Sequence, residues 1–150
     1  MSQSLASILV HIIFSTKNRL PLISQTIEKD LYSYIVGIAK ANDVHVYEIG
    51  GVEDHIHLFI CLPRTLTLSK CIEEIKKGSS KWIKTKGIEY QNFSWQNGYG
   101  AFSIGYSSCA ALRNYIQNQR EHHKKILFKD EMILFLKKYQ ISFDENYLWD

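Results

Sequence analysis

The stretch "EDHIHLFICLP", residues 53–63, places two histidines one residue apart within an apolar run. Successive side chains of a β-strand point to opposite faces, so His55 and His57 share one face while Ile56 and Leu58 share the other. Two imidazoles on one face could bind a metal ion, take part in acid–base chemistry, or be hydrogen-bonded histidines of a packed sheet. The motif alone leaves these alternatives open.

A second pair of polar side chains lies in "RNYIQNQ", within a predicted helix. Tyr115 and Gln119 are four residues apart, and side chains at this spacing project from the same helix face about one turn apart. Taken alone, the pair fits a packed tyrosine and a solvated glutamine. Only in combination with the two histidines does it indicate a chemical site.

The elements that must position these residues can be predicted from the periodicity of the apolar residues. Strands are predicted within residues 4–16, 44–52, 55–63 and 98–106, and helices over about residues 24–42, 67–87, 107–128 and 130–141. The Gly50-Gly51 pair is a typical turn signal for a hairpin between the second and third strands. Residues 78–80, "GSS", interrupt the second helix and are expected to loosen it midway.

This order of elements, β-α-β-β-α-β-α, is typical of a ferredoxin-like split βαβ fold. We therefore predict an α+β protein with an antiparallel sheet, helices on one face of that sheet, and additional C-terminal helices. A chain of 150 residues suits one compact domain with its own core, so residues 1–150 are predicted to form a single domain.

The composition excludes several classes of protein. Hydrophobic residues make up 45% of the chain and aromatic residues 13%, which excludes a wholly disordered protein. The apolar runs are far shorter than the roughly 20 residues that span a bilayer, and the first residues do not resemble a signal peptide. We therefore expect no membrane partner and a cytoplasmic location. The three cysteines lack metal-type spacing and are expected to be reduced packing residues.

The distribution of charge is more informative than its total. The chain carries a net charge of +3, whereas the window from Arg64 to Lys86 holds seven basic and two acidic residues and carries +5. A basic segment of this kind can be a solvated helix face or a surface that follows phosphates. The charge alone does not distinguish the two.

Taken together, these segments resemble the single-tyrosine transposases of the HUH superfamily, the IS200-like transposases that move small insertion sequences as single-stranded DNA. The superfamily is named for a His-hydrophobe-His motif, here His55-Ile56-His57. The resemblance extends from about Val10 to His123. It is carried by five collinear segments, "HIIFSTKNR", "GGVEDHIHLFICLP", "LSKCIEEIKKGSSKW", "WQNGYGAFSIG" and "YIQNQREHH".

The resemblance implies a metal-dependent transposase that cleaves and rejoins single-stranded DNA at insertion-sequence ends. By the family's pattern, Tyr115 is the nucleophile that forms a 5′-phosphotyrosine, and His55, His57 and Gln119 hold Mg²⁺ or Mn²⁺. A phosphodiester is anionic, so its cleavage benefits from a cation that stabilises charge in the transition state. The resemblance also implies hairpin DNA ends as the partner, and a homodimer in which the tyrosine helix of one subunit serves the histidines of the other.

Other polar residues are assigned supporting roles. Asp54 could orient a ligand histidine, or it could be a solvated turn residue. His122 and His123 are expected at the surface or in contacts with the backbone, and His11 is expected to be structural. The candidates for contact with DNA phosphates are Lys17, Arg19, Lys76, Lys77, Lys81 and Arg113, with Ser79 and Ser80 as hydroxyl donors.

Three functions from different classes fit these observations. The first is a metal-dependent DNA strand transferase. The second is a domesticated relative that nicks or only binds hairpin nucleic acid, without transposition. The third is a ferredoxin-like binding module without chemistry, and the presence of His55, His57, Tyr115 and Gln119 together argues against it. Short imperfect palindromes beside the gene would favour the first function over the second.

Overall fold

The computed structural model describes residues 2–150, and within them it contains one antiparallel sheet of four strands. The strands are β1 (Leu9–Ser15), β2 (His45–Val52), β3 (His55–Cys61) and β4 (Gly100–Ser103). They lie in the order β2-β3-β1-β4, and every neighbouring pair is antiparallel. This is the split βαβ arrangement, so the predicted fold class is confirmed.

Helices cover both faces of this sheet. They are α1 (Gln25–Ala41), α2 (Leu68–Ile83), α3 (Cys109–Gln117), α4 (Gln119–His122), α5 (Phe128–Lys138) and α6 (Glu145–Leu148). Short 3-10 turns lie at Lys17–Arg19, Ile88–Tyr90 and Tyr106–Ser108. Among residues 2–150, no helix has both the length and the apolar character that crossing a bilayer requires.

Helices α1 and α2 pack on one face of the sheet and form the main apolar core. The strand residues of this layer are fully buried: Ile12, Phe14, Ile56, Leu58 and Ile60. The helix residues that meet them include Ile27, Leu31 and Ile35 of α1 and Ile72 and Ile75 of α2. Because burial of one such side chain contributes about 1.5–3 kcal/mol, this layer supplies much of the stability of the fold.

The C-terminal helices cover the opposite face, to which both histidines of β3 belong. Two apolar clusters line this face. The first joins Ile13 and Phe102 to Phe128, Met132 and Leu136, and the second joins Leu9 and Phe59 to Leu112 and Ile116. Helices α3 and α5 therefore lie directly over the polar residues that the strand presents here.

The Gly50-Gly51 pair is not the hairpin turn that the sequence predicts. Both residues lie inside β2, and the turn is formed by residues 53–54. A Cβ atom at Gly50 would lie 2.7 Å from the backbone oxygen of Ile116 in α3. Close approach of the two backbones, rather than turn conformation, accounts for glycine at this position.

Helix α2 continues without a break through "GSS", so the expected loosening does not occur. Gly78 lies against α1, where an added Cβ would be 2.7 Å from the Cδ1 atom of Ile38. The hydroxyl of Ser79 donates a hydrogen bond of 2.6 Å to the backbone oxygen of Ile75, one turn earlier. The small residues therefore let two helices approach each other closely while the helix stays intact.

The predicted helix over residues 107–128 is divided into two. Helix α3 ends at Gln117, and Asn118 has φ −102° and ψ 24°, which lies outside the helical region. The side-chain amide of Asn118 donates to the backbone oxygen of Asn114 at 2.9 Å and so satisfies a carbonyl near the end of α3. Gln119 consequently opens the next helix, α4, although it keeps its place one turn beyond Tyr115.

We expect Gly50→Ala to destabilise the protein by about 1–3 kcal/mol, because overpacked interiors lose stability by this amount. The added methyl group would meet the backbone of α3, which cannot give way as a flexible side chain can. Urea denaturation of the Gly50→Ala variant and of the unchanged protein measures the difference in their free energies of unfolding. The matched control is Gly37→Ala in α1, where no atom lies within 4 Å of the added Cβ and the change should stabilise the helix by up to about 1 kcal/mol. Equal stability of Gly50→Ala and the unchanged protein would contradict the packing argument.

Candidate active site

Strand β3 presents His55 and His57 on the face that the C-terminal helices cover. Both side chains are completely buried. The pleat places them on one face because they are two residues apart, as the sequence predicts. Buried imidazoles need hydrogen-bond partners or a metal ion, so their surroundings decide what the pair can do.

The Nδ1 atom of each strand histidine has a partner. Nδ1 of His55 lies 2.7 Å from the Oδ1 atom of Asp54, the contact that orients this ring. Nδ1 of His57 lies 2.8 Å from the Nε2 atom of His11, which β1 presents on the same face. The Nε2 atoms of both rings are thereby directed toward the space beneath α3 and α5.

The structure brings Tyr115 and Gln119 to this space from α3 and α4. The ring of Tyr115 lies 5.7 Å from the ring of His57, measured between centroids. The amide oxygen of Gln119 lies 3.3 Å from the Nε2 atom of His55, and Gln119 is almost completely buried. The four residues singled out from the sequence therefore meet at one place.

Three further residues join them that the sequence analysis did not assign to the site. The carboxylate of Glu131 accepts a hydrogen bond from the hydroxyl of Tyr115, and its Oε1 atom lies 3.0 Å from the Nε2 atom of His57. The Nε2 atom of His123 lies 3.2 Å from the same oxygen. His122 places its Nε2 atom 3.0 Å from the hydroxyl of Tyr115. His122 is half-buried and His123 contacts the backbone oxygen of Ile126 as expected, but both also contact the cluster.

A sequence signal for Glu131 exists in retrospect. Phe128, Met132 and Phe135 define the apolar stripe of α5, and Glu131 lies on that stripe at helical spacing. A carboxylate on a buried helix face requires a partner, because an unpaired buried charge is costly. The partners are histidines from distant parts of the chain, which a single sequence cannot identify.

Burial and the carboxylates give the two strand histidines opposite electrostatic properties. Burial lowers the pKa of His57 to about 4, so this ring is neutral near pH 7. Burial would also lower the pKa of His55, but hydrogen bonds to Asp54 and Glu131 outweigh it and raise that pKa to about 9. Although burial opposes it, hydrogen bonding to the histidines holds the pKa of Glu131 well below its usual range. Glu131 is therefore an anion at neutral pH.

The same surroundings act on the candidate nucleophile. Burial, followed by the negative charge of Glu131, raises the pKa of Tyr115 well above its ordinary value. The phenol is therefore protonated at neutral pH in the chain by itself. A positive charge at the site would act in the opposite direction and favour loss of this proton.

The cluster can accommodate a divalent metal ion. One donor atom from each of His55, His57, His123 and Glu131 lies within 4.8 Å of the other three. The Nε2 atom of His123 is buried and has no partner with hydrogen-bond geometry. Nitrogen and carboxylate donors of this kind are ordinary ligands of divalent metals in proteins, so the residues fit the predicted metal.

Two cavities border this cluster. One, of about 570 Å³, is lined by residues that include Asp54, Arg120 and His123. The other, of about 190 Å³, is lined by residues that include Tyr115, His122 and Glu131. One cavity thus borders His123, and the other borders Tyr115 and Glu131.

The predicted DNA-contact residues divide into surface residues and residues with internal roles. Lys17, Lys77, Lys81 and Arg113 are exposed, and Arg19 and Ser80 are half-buried. Arg113 is also paired with Glu48, at 3.5 Å between Nε and Oε2. These six remain candidates for contact with phosphates.

Lys76 and Ser79 do not belong with the predicted DNA-contact residues, because their polar atoms have partners inside the protein. The ammonium of Lys76 donates to the backbone oxygens of residues 96–98 at 2.7–3.2 Å, and burial lowers its pKa to about 8. Ser79 is completely buried, and its hydroxyl accepts a hydrogen bond of 3.0 Å from the indole of Trp95. Both side chains anchor the segment that precedes β4, because their polar atoms form hydrogen bonds with it.

In the described chain, the tyrosine and the histidines of one subunit lie together. Tyr115 contacts Glu131, His122 and His57 of its own chain, so an exchange of tyrosine helices is not needed to bring nucleophile and histidines together. The homodimer and the sharing of sites between its subunits stay predictions, since a single chain is described.

Comparisons with known proteins identify the family and the fold. The sequence pattern of the family described as "Transposase IS200 like" matches residues 4–119. A crystal structure of a candidate transposase from Deinococcus radiodurans R1 superposes with a TM-score of 0.62 at 18% identity, over 79% of this chain and 98% of that chain. A REP-associated tyrosine transposase bound to a REP hairpin superposes with a TM-score of 0.61 at 18% identity, over 84% of this chain and 76% of that chain.

At this identity the two structures establish similarity of fold alone, and no curated protein matches the sequence. The family pattern, in contrast, covers well over half of the chain, from the residues before β1 to Gln119. It includes the histidine strand and the tyrosine helix. This chain therefore belongs to the IS200-like transposase family.

Proposed function

We propose that this protein is a metal-dependent transposase that cleaves and rejoins single-stranded DNA through a 5′-phosphotyrosine intermediate. The observation that best supports this function is the position of the Tyr115 hydroxyl. It lies beside the buried cluster of histidines and Glu131, with His122 3.0 Å away. A nucleophile next to a candidate metal site is the arrangement that phosphoryl transfer requires.

The proposed reaction uses the Tyr115 oxygen as the attacking atom. A bond forms between this oxygen and phosphorus, and the bond from phosphorus to the 3′ oxygen breaks. The phenolic proton is lost and the departing 3′ oxygen gains one, so the products are a 5′-phosphotyrosine and a free 3′-hydroxyl. Attack by a 3′-hydroxyl of another strand reverses the step and rejoins DNA without an external energy source.

The residues around Tyr115 have distinct proposed roles. His55, His57 and, by the family's pattern, Gln119 are the predicted ligands of Mg²⁺ or Mn²⁺, and Asp54 orients His55 through its 2.7 Å contact with Nδ1. A bound divalent cation supplies electrostatic stabilisation of the phosphate and its developing charge. His122 and Glu131 fix the direction of the Tyr115 hydroxyl toward the adjoining cavity.

The proposed partner is single-stranded DNA with hairpin ends. The exposed basic residues Lys17, Lys77, Lys81 and Arg113 provide phosphate contacts. One structural neighbour, the REP-associated tyrosine transposase, is bound to a REP hairpin in its structure, which supports a hairpin as the probe. The same site chemistry would serve a relative that only nicks or binds hairpins, and that remains the alternative function.

A homodimer is also proposed. Strand β4 is an edge strand of the sheet, since it pairs with β1 alone. An exposed strand edge can continue into the sheet of a second copy across a two-fold axis. Two copies would present two basic α2 helices to the two ends of an element.

The test of the proposed function is cleavage of a labelled single-stranded hairpin oligonucleotide that carries the end of the element. We expect an SDS-resistant protein–DNA adduct and a new free 3′-hydroxyl in the presence of Mn²⁺ or Mg²⁺. Chelation with EDTA should stop cleavage and leave hairpin binding largely intact, because binding depends on the basic surface. Undiminished cleavage in EDTA would exclude the metal role, and binding without any adduct would favour the alternative function.

A further inference from the structure

The cavity that adjoins the nucleophile is bordered by two groups of residues. The first group contains the residues with chemical roles, Tyr115, His122 and Glu131. The second group comes from helix α5, beyond the family-matched residues, which end at 119, and it consists of Leu134, Phe135 and Lys138. Because the Tyr115 hydroxyl adjoins this cavity, a group that becomes joined to its oxygen would enter the cavity and contact the second group.

Helix α5 arranges these side chains along one face. Relative to Glu131, the residues Leu134, Phe135 and Lys138 are at positions i+3, i+4 and i+7, the spacing of neighbours on one helix face. The chemical character along this face changes from the carboxylate that contacts Tyr115, through two apolar side chains, to an ammonium group. Seven residues cover about 10 Å of helix. The face is therefore a short surface that begins at the nucleophile and ends at a positive charge.

The apolar part of this face is partly open to solvent. Leu134 is 59% exposed. Phe135 is half-buried, and the rings of Phe102 and Tyr115 hold it in place, with centroids 5.4 Å and 5.8 Å away. A single exposed leucine is ordinary on a protein surface, but this one borders the cavity of the nucleophile. A flat apolar group that covered Leu134 and Phe135 would remove apolar surface from water, which favours its binding.

The charged end of the face and the size of the cavity restrict the ligand further. Lys138 is exposed, and its ammonium lies 5.6 Å from the centroid of the Tyr139 ring, a contact that leaves its positive charge in place. The charge is therefore available to a phosphate. The cavity measures about 190 Å³, below the roughly 300 Å³ at which pockets for drug-sized ligands begin. It suits one nucleobase and no longer segment of DNA.

We infer that this face of α5 is the subsite for the single nucleotide whose 5′-phosphate becomes joined to Tyr115. The base of this nucleotide packs on Leu134 and Phe135, and Lys138 contacts the phosphate on its 3′ side. Every base has a flat π-face, so packing of this kind discriminates little among the four bases. The inference rests on the proposed function, because the reaction defines which nucleotide occupies the subsite.

The experiment compares two labelled hairpin oligonucleotides, one intact and one with an abasic residue at the nucleotide directly 3′ of the cleaved bond. With the full chain and Mn²⁺, the rate of adduct formation at subsaturating DNA should be lower for the abasic DNA by at least about fivefold, the loss expected when one base contact is removed. Leu134→Ala should slow adduct formation on intact DNA by about threefold or more, because apolar contact with the base is lost. It should cause no further loss on abasic DNA, since the two changes remove the same contact.

The matched control for this substitution is Leu127→Ala, which makes the same change at a 72% exposed position that borders the other cavity. It should act like the unchanged protein on both oligonucleotides. Equal rates on intact and abasic DNA would overturn the inference. So would an equal loss in Leu127→Ala, or a loss in Leu134→Ala that is the same on both oligonucleotides, because a general effect on the fold would produce it.

The phosphate contact is tested by the salt dependence of hairpin binding, measured without cleavage in the Tyr115→Phe variant. Adding Lys138→Gln should reduce the slope of log K against log salt by about 0.7, the value for one phosphate contact on a single strand. Lys137→Gln, an exposed neighbour outside the cavity, should leave the slope unchanged. An unaltered slope in Lys138→Gln would overturn the assignment of Lys138. Failure of intact DNA to form any adduct would instead contradict the proposed function, so the two failures are distinguishable.

Discussion

Replacement of Tyr115 by phenylalanine should abolish the covalent protein–DNA adduct while hairpin binding persists. The substitution removes a single oxygen atom, the one that contacts Glu131 and His122 and faces the adjoining cavity. Without it, no side chain at this position can form a bond to phosphorus. The amount of adduct should fall by about three orders of magnitude or more, as expected when a nucleophile is deleted.

The measurement is an SDS gel of labelled hairpin DNA, with binding followed in parallel by gel shift. Tyr106→Phe is the matched control, because it makes the same chemical change nine residues earlier in a side chain that is 89% exposed. It should yield the same adduct as the unchanged protein. Wild-type adduct in the Tyr115→Phe variant would assign the nucleophile to another residue.

Stability has to be measured in the same variant. Removal of the hydroxyl leaves one oxygen of Glu131 without its tyrosine partner, and an unsatisfied buried acceptor costs about 1–3 kcal/mol. His122, whose Nε2 atom lies 3.3 Å from that oxygen, can offset part of this loss. A denaturation curve therefore separates loss of the nucleophile from loss of the fold.

The architecture and the histidine face were predictable because they depend on short-range periodicity. Alternation along β3 is sufficient to place His55 and His57 together, and four-residue spacing is sufficient to place Gln119 one turn from Tyr115. The order of strands and helices then restricts the topology to a few choices. These features are local in sequence, and the structure agrees with them.

The remaining features depend on contacts between distant residues. Gly50 resembles a turn signal, yet its role is to admit the backbone of Ile116, which lies 66 positions later. Lys76 and Ser79 have the character of a basic DNA surface, yet the segment before β4 occupies their polar atoms. Glu131 lies on the apolar stripe of α5, which indicates burial, but only tertiary packing identifies the histidines as its partners. Neither composition nor periodicity contains that information.

A second prediction concerns whether the two subunits of a dimer share their active sites. Helix α3 is held over its own sheet by buried Leu112 and Ile116, which pack on Leu9 and Phe59. To serve another subunit, α3 would have to leave this contact and form the same contact on the partner's sheet, an exchange that the contacts within the described chain do not require. It would also have to break the contact between Tyr115 and Glu131.

We therefore expect no complementation between His55→Ala and Tyr115→Phe. Each variant lacks one half of the site, and with sites assembled within a chain a mixed dimer contains no complete one. Co-expression with two different affinity tags isolates the mixed species, and the adduct assay should find it inactive. The control is a mixed dimer of Tyr115→Phe with the unchanged chain, which should keep one working site and about half of the adduct. Partial recovery in the His55→Ala and Tyr115→Phe mixture would instead establish shared sites, with the tyrosine helix donated between subunits as the family resemblance implies.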